Sequence, residues 1–171
     1  MHITAEQVIR HFGLTPLPGE GGTFRQSYVA GERIPHHALP TRYLHDKPFS
    51  TAIYYLLTDA PDSFSALHRL PTDEVYHFYA GDPVDMLLLH PDGQGERVRL
   101  GADFLGGAQV QLVVPRATWQ GSRLVAGGSW ALLGTTMAPG YTDSDYEGGE
   151  RAALLARYPV FSAEILSLTR S

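Results

Sequence analysis

His68 and Glu74 lie on either side of the turn signal Pro71-Thr72-Asp73, and together they could do chemistry. An imidazole and a carboxylate that point into one cavity can bind a metal ion or act as an acid–base pair. The turn is favoured because proline fixes φ and aspartate can hydrogen-bond to its own backbone. The sequence therefore predicts strand, turn and strand over residues 64–81, with His68 and Glu74 side by side across a tight hairpin.

The second of these strands has two faces of different composition. Its alternate residues form two sets, Glu74, Tyr76 and Phe78 on one side and Val75, His77 and Tyr79 on the other. Successive side chains of a strand point to opposite faces of the sheet. We expect Glu74, Tyr76 and Phe78 to face a pocket, the last two as its wall. We expect His77 and Tyr79 to lie at a sheet or subunit contact.

This stretch resembles the first signature of the cupin superfamily, His-x-His, three or four residues, Glu, six residues, Gly. Glu74 and Gly81 keep the spacing, and His68 stands at the first histidine. Leu70 occupies the second histidine position. The resemblance implies a barrel whose mouth contains His68 and Glu74.

Further along, the segment VVPRATWQGSRL resembles the second cupin signature, Pro-x-Gly-x-x-His. Pro115 matches, Ala117 stands for the glycine, and Gln120 stands for the histidine. The resemblance therefore places Gln120 in the barrel mouth as well. Two of the four usual cupin metal ligands are changed, although the spacing of both signatures is kept.

Short strands between turn signals make up most of the chain and favour a barrel or a double-sheet jelly roll. Strands are predicted at residues 23–30, 49–58, 64–69, 74–81, 84–90, 97–100, 109–114, 118–126 and 129–137. Thr4 and Gln7 form a capping box for a first helix that ends at Gly13, and a last helix is expected over residues 150–158. Residues 33–47 are read as a long loop.

Five segments are similar, in the same order, to one uncharacterised subfamily, cupin-5 or DUF985. They are FRQSYVA, STAIYYLLT, SALHRLPTDEVYHFYAGDP, VVPRATWQGSRL and TTMAPGYTDSDYE, and the resemblance runs from about residue 21 to residue 158. It implies an all-β double-stranded β-helix, the cupin jelly-roll barrel, with short N- and C-terminal helices. A single domain over residues 1–171 and a homodimer are expected. Fold relatives include metal-free sugar-nucleotide epimerases, storage proteins and iron or manganese oxygenases, so the fold does not select a reaction.

Composition excludes several other classes of function. The formal net charge is −5 with no basic run, which is unlike a nucleic-acid-binding protein. No apolar run approaches the length of a membrane span, and no signal-peptide pattern precedes the first helix. There is no cysteine, which excludes disulfides and a thiol nucleophile. We expect a cytoplasmic protein without nucleic-acid or membrane partners.

The leading interpretation is a metal-independent pocket for a small polar molecule, sugar-like by analogy with the fold relatives. His68 would act as a base with Glu74 as its hydrogen-bonded partner, in isomerase or epimerase chemistry, and Gln120 would bind the ligand. Arg25 and Arg69 are candidate partners for an anionic group, because arginine binds carboxylate and phosphate through paired donors.

Two alternatives stay open. In the first, His68, Glu74 and Gln120 bind a divalent metal in an oxygenase-like enzyme, although glutamine is a weak ligand for transition metals. In the second, the chain is a ligand-binding or storage module without catalysis. Whether the protein is an enzyme is therefore undecided at this level.

The remaining residues of interest are interpreted as structural. Trp119 should point away from the pocket because it precedes Gln120 on a strand. The acidic run Asp143-Ser144-Asp145 is read as a solvated loop, and Tyr141 could cover the barrel mouth. His36 and His37 are read as part of a solvated loop, because adjacent side chains on an extended chain point apart.

Overall fold

The structure, a computed structural model, describes residues 3–170; residues 1, 2 and 171 lie outside the description. Three α-helices are α1 (Ala5–Phe12), α2 (Arg151–Arg157) and α3 (Ser162–Ser167). Short 3₁₀ turns lie at His36–Ala38, Asp143–Asp145 and Pro159–Phe161. No helix within residues 3–170 has both the length and the apolar composition needed to cross a membrane.

The rest of the regular structure is β. The strands are β1 (Thr15–Pro16), β2 (Thr23–Val29), β3 (Arg33–Ile34), β4 (Lys47–Pro48), β5 (Thr51–Thr58), β6 (Phe64–Arg69), β7 (Glu74–Gly81), β8 (Val84–Leu89), β9 (Gly95–Leu100), β10 (Gln111–Val114), β11 (Trp119–Leu124), β12 (Trp130–Met137) and β13 (Glu147–Gly148). The predicted long loop over residues 33–47 contains β3, the first 3₁₀ turn and the start of β4. His36 and His37 are exposed there, as expected for a solvated segment.

Two antiparallel sheets form the jelly roll. One has the strand order β1-β2-β5-β12-β7-β10 and the other has the order β13-β6-β11-β8-β9. The all-β cupin jelly roll predicted from the sequence is therefore confirmed. Strands β6 and β7, however, belong to different sheets. The predicted tight hairpin is wrong, because the turn at Pro71-Thr72-Asp73 carries the chain from one sheet to the other.

Alternating side chains fill the space between the sheets. On β12, Ala131 and Leu133 point inward to a core that also contains Tyr55, Tyr76 and Leu88. Leu132, between them, points outward and packs with Val8 of α1. Helices α2 and α3 cover the outer face of the other sheet through a second cluster. Period-two alternation thus sets which residues can reach the interior.

The predicted first helix is confirmed in detail. The Thr4 backbone N–H donates to Gln7 Oε1 at 2.9 Å, and the Gln7 backbone N–H donates to Thr4 Oγ1 at 3.4 Å. Gly13 ends the helix with a φ of 61°, a left-handed conformation that glycine adopts without a steric cost.

Ala117 has a φ of 64°. It stands where the second cupin signature has glycine, the residue that adopts a left-handed backbone without a steric cost. The same conformation is strained for alanine.

Candidate functional site

A cavity of about 640 Å³ opens between the two sheets. His68 and Glu74 both line it, and so do Tyr141 and Tyr146 from the segment that follows β12. Leu70, at the position of the second cupin histidine, contributes hydrocarbon to the same wall. The cavity has the size of a small-molecule site.

A β-bulge in β6 aims His68 at this cavity. Gln120 pairs with His68 and Ser122 pairs with Ser65, so two residues of β6 face the single residue Gly121 of β11. The extra residue places Ser65 and His68 on one face of β6, although their spacing in the sequence would put them on opposite faces. A Cβ at Gly121 would lie 3.0 Å from Leu67 Cγ, which shows how closely the bulge packs there.

His68 is held so that one ring nitrogen stays available. Its Nδ1 lies 2.8 Å from the carbonyl oxygen of Ala66. Since a carbonyl can only accept, Nδ1 must carry the hydrogen, and in the neutral ring Nε2 is the free acceptor. The ring stacks on Tyr146, with centroids 5.2 Å apart and planes at 19°. The His68 side chain is 3% exposed, so Nε2 is available only toward the cavity.

Glu20 faces His68 across the cavity and was not among the residues selected from the sequence. Its Oε2 lies 4.0 Å from His68 Nε2, and its Oε1 accepts a hydrogen bond from Ser65 Oγ at 2.8 Å. The Glu20 side chain is 17% exposed. The structure therefore adds a second, largely buried carboxylate to the site.

The loop between β1 and β2 carries Glu20 into the barrel. The Ala66 N–H donates to the Glu20 carbonyl at 2.8 Å, and the Tyr55 hydroxyl donates to the Gly21 carbonyl at 2.9 Å. Gly22 has a φ of 69°, and a Cβ there would lie 2.7 Å from the Tyr55 hydroxyl oxygen. The only sequence signal for Glu20 is that it is a single charged residue among glycines, and glycines allow a loop to approach the barrel closely.

Glu74 is bound by Gln120 and not by His68. Gln120 Nε2 donates to Glu74 Oε2 at 2.7 Å, while no hydrogen bond or ion pair within residues 3–170 joins Glu74 to His68. The expected hydrogen bond between His68 and Glu74 is wrong: Gln120, next to His68 in the same sheet, donates to Glu74, while His68 Nδ1 is used by the Ala66 carbonyl. Gln120 is 1% exposed and lies behind Glu74, away from the barrel mouth. Its Oε1 has no hydrogen-bond partner in the described part of the chain.

Burial raises the pKa of the Glu74 carboxyl above the ordinary value of a glutamate. The positive charge of His68 opposes this effect and the negative charge of Glu20 adds to it, while hydrogen bonds such as that from Gln120 favour the ionised form. The carboxyl thus holds its proton to a higher pH than an exposed glutamate does.

Tyr76 and Phe78 lie deeper than expected. Tyr76 is 2% exposed in the main core, and Phe78 packs against that core. Neither residue is among those that line the cavity. The expectation that they form its wall is corrected, because the barrel is filled with side chains beyond Glu74 and the cavity occupies only the open end.

The two candidate arginines lie at different places. Arg25 lines the cavity, with its guanidinium 5.7 Å from the centroid of the Tyr54 ring. Arg69 makes two hydrogen bonds of 2.7 Å to Glu147 and lies 4.6 Å above the Trp119 ring. Arg69 and Trp119 both face away from the cavity, so Arg69 is not placed to bind a ligand there.

The segment over residues 141–146 forms one wall of the cavity and is anchored by a buried ion pair. Lys47 Nζ donates to Thr142 Oγ1 at 2.7 Å and to Asp145 Oδ2. Lys47 is 1% exposed and Asp145 is 7% exposed. The interpretation of the acidic run as a solvated loop is therefore wrong for Asp145, whereas Asp143 is exposed. Burial raises the pKa of Tyr146 to about 12, so its phenol stays protonated.

The residues at the cupin ligand positions do not fit a resident metal ion. Among residues 3–170, no group of three or more histidine, cysteine, aspartate or glutamate side chains is arranged to hold one. Gln120 presents its amide N–H to Glu74, and Leu70 presents hydrocarbon. Neither group is a metal ligand in this arrangement.

Similarity to known proteins identifies the family to which the chain belongs. The protein SO0799 of Shewanella oneidensis has a crystal structure that superposes with a TM-score of 0.85, at 30% identity over 99% of both chains. The uncharacterised protein YML079W of Saccharomyces cerevisiae is 30% identical over 57% of this chain. That match spans about half of the yeast protein, 49% of its length.

A more distant structure shows the fold alone. The Bacillus subtilis oxalate decarboxylase matches with a TM-score of 0.53 at 13% identity, over 92% of this chain and 38% of the decarboxylase. The family described as "Cupin superfamily (DUF985)" matches residues 6–148. The chain belongs to this family of the cupin superfamily.

Proposed function

We propose that the cavity binds a small polar molecule and that the protein is a metal-independent isomerase or epimerase in which His68 moves a proton. The observation that carries this proposal is the hydrogen bond between His68 Nδ1 and the Ala66 carbonyl. It holds the ring in the tautomer whose Nε2 can accept a proton from a molecule in the cavity.

Glu74 supplies the complementary acid. Its buried carboxyl keeps its proton to a higher pH than usual, and it lines the same cavity as His68. A ring nitrogen that can accept a proton and a carboxyl that can donate one, both lining one cavity, are suited to paired acid–base work. Gln120 acts through Glu74 by orienting the carboxyl, so Gln120 is a positioning residue.

In the proposed reaction, His68 Nε2 takes a proton from a carbon next to a carbonyl group. The electron pair of the broken C–H bond forms a C=C bond, and the carbonyl oxygen receives the proton of Glu74 to give a neutral enol. When a proton returns to the opposite face of that carbon and the enol proton goes back to the Glu74 carboxylate, the product is an epimer. When the carbon also carries a hydroxyl group, His68 can return its proton to the former carbonyl carbon while the Glu74 carboxylate takes the proton of that hydroxyl, and the product is an isomer. Arg25 at the mouth supports binding of an anionic group on the same molecule.

Hydrogen exchange can test this without a known substrate. The protein, treated with EDTA and dialysed, is incubated in D₂O with a small-molecule extract of bacterial cells. Mass spectrometry should find a metabolite that gains deuterium on carbon with the wild-type protein and with His77→Gln. The His68→Gln variant should not catalyse this exchange. His77 is a matched control because its ring lies on the outer face of the six-stranded sheet, 6.3 Å from Tyr79.

Exchange that is equal in wild type and His68→Gln, or that requires an added divalent metal, would contradict the proposed reaction. Ligand binding with no exchange in any metabolite would instead support a binding module without catalysis.

We also propose that the protein is a homodimer. The outer face of the six-stranded sheet exposes large apolar side chains such as Tyr79 at 51% and Val113 at 52%. A patch of this kind on a β-sheet is suited to a subunit contact. The proposed homodimer is supported by these exposed side chains and by the family to which the chain belongs.

A further inference from the structure

We infer that the ligand of this cavity carries a protonated amine, which binds at Glu20 with Glu74 nearby. This inference rests on the proposed small-molecule site and names the chemical class that it accepts. Its basis is a carboxylate oxygen in the cavity that receives no hydrogen bond from residues 3–170.

Glu20 Oε2 is the unsatisfied acceptor. Glu20 Oε1 accepts from Ser65 Oγ at 2.8 Å, but among residues 3–170 the nearest cationic group to Oε2 is His68 Nε2 at 4.0 Å. That separation is too long for a hydrogen bond. Glu20 lines the cavity, so a charged donor brought by a ligand can hydrogen-bond to this oxygen.

The positive side chains near the cavity are either buried in an ion pair or exposed at its mouth. Lys47 is buried with Asp145. Arg33 donates to the Asp46 carbonyl at 2.8 Å, and Arg25 lies over the Tyr54 ring. Both arginines are exposed at the mouth, where solvent weakens their field, whereas the two glutamates lie deeper. The inner end of the cavity is therefore electronegative.

The aromatic wall suits the same ligand. Tyr141 and Tyr146 line the cavity, and burial raises the pKa of both phenols, so neither becomes an anion at neutral pH. Neutral phenol rings can bind an ammonium group through their faces. A carboxylate next to such rings distinguishes an amine from an alcohol mainly by charge, because charge-assisted hydrogen bonds are roughly twice as strong as neutral ones.

Matched pairs of amine and alcohol test the inference. The pairs are glucosamine with glucose, 1,4-diaminobutane with 1,4-butanediol, and 1-butylamine with 1-butanol, each measured by calorimetry at neutral pH. In at least one pair the amine should bind the wild-type protein about tenfold more tightly than the alcohol, as expected for one additional charge-assisted hydrogen bond.

Glu20→Gln should abolish the preference while leaving the fold intact, because the amide oxygen of glutamine can still accept from Ser65. Glu96→Gln is the matched control, since Glu96 is exposed and lies on β9 of the other sheet, away from the cavity. The control should behave as wild type.

The inference is overturned if no amine binds more tightly than its alcohol, or if Glu20→Gln keeps the preference. Alcohols that bind in the cavity as tightly as amines would leave the small-molecule site in place and remove only its charge selectivity. If deuterium exchange also fails and no compound binds, the proposed function falls as well.

Discussion

At the scale of single residues, the two nitrogens of His68 have different tasks. Nδ1 is used by the Ala66 carbonyl and Nε2 faces the cavity. Glu74 is set apart from an ordinary glutamate by burial, and Glu20 by an oxygen that receives no hydrogen bond from residues 3–170. These three side chains carry the proposed chemistry, and each is held by backbone or side-chain contacts that can be changed separately.

Replacement of Glu74 by glutamine should stabilise the protein as pH rises. Because the pKa of Glu74 is raised in the folded state, ionisation costs the folded protein more than the unfolded chain. Below the ordinary glutamate pKa, wild type and Glu74→Gln should differ little from this cause. As pH rises through the elevated value, the variant should gain free energy of unfolding relative to wild type, measured by urea denaturation from pH 4 to pH 8.

Glu150→Gln is the control of opposite sign. Backbone N–H groups of Ala153 and Ala152 lower the pKa of Glu150 at the start of α2. Its variant should therefore lose stability relative to wild type as pH rises. A Glu74→Gln variant that follows this same trend would show that Glu74 is not destabilised by burial.

Ala117→Gly should raise the free energy of unfolding. Ala117 has a φ of 64°, and the left-handed region costs a non-glycine residue about 1 kcal/mol. Glycine removes this strain. It also makes the unfolded chain more flexible, which offsets part of the gain in the free energy of unfolding. Urea denaturation should show a midpoint above that of wild type; a lower midpoint would mean that the Ala117 methyl group stabilises the turn.

At the scale of elements, three pieces of irregular backbone position the site on two regular sheets. The bulge of β6 aims His68, the glycine-rich β1–β2 loop carries Glu20, and the segment over residues 141–146 closes one wall. The strands fix the distance between the sheets, while these irregular pieces decide which polar groups meet in the cavity.

Lys47→Met should be strongly destabilising. It leaves Asp145 buried without its ion-pair partner, and removal of one member of a buried pair costs about 3–5 kcal/mol. Urea denaturation measures the loss. Arg69→Met is the matched control, because the Arg69–Glu147 pair is largely exposed and such pairs contribute about 0–1 kcal/mol. Equal losses in the two variants would contradict the anchoring role of Lys47.

At the scale of the whole molecule, the jelly roll offers a cavity at one end of the barrel and an exposed apolar face on one sheet. The core of hydrocarbon beyond Glu74 prevents the cavity from running through the barrel. The proposed ligand site and the proposed subunit contact therefore lie on separate surfaces, and each can be tested without disturbing the other.

Native mass spectrometry should find twice the 18.8 kDa mass of the chain. Val113→Asp should shift the protein toward monomer, because a charge in the centre of an apolar contact is costly to bury. Val160→Asp, at a position that is 79% exposed near α3, should leave the dimer intact. A wild-type monomer at micromolar concentration, or a dimer that Val113→Asp does not weaken, would contradict the proposed contact.

The sequence predicted the strands well because their alternation is local, as in β7 and β12. It could not show that β6 and β7 belong to different sheets, since period-two alternation is the same in a hairpin and in a crossing between sheets. Glu20 was missed because its approach to His68 depends on folding of a glycine-rich loop. Lys47 and Asp145 are 98 positions apart, and nothing local to either residue indicates the pair.

The most direct test of the account is the tautomer of His68, observed in long-range ¹H–¹⁵N NMR spectra with His68→Gln used to assign the resonance. In the neutral ring, the account predicts a protonated Nδ1 and an Nε2 that bears no hydrogen, and it predicts that the Nε2 signal moves when a cavity ligand binds. A ring protonated at Nε2, or an Nε2 signal that no bound ligand changes, would contradict the central claim.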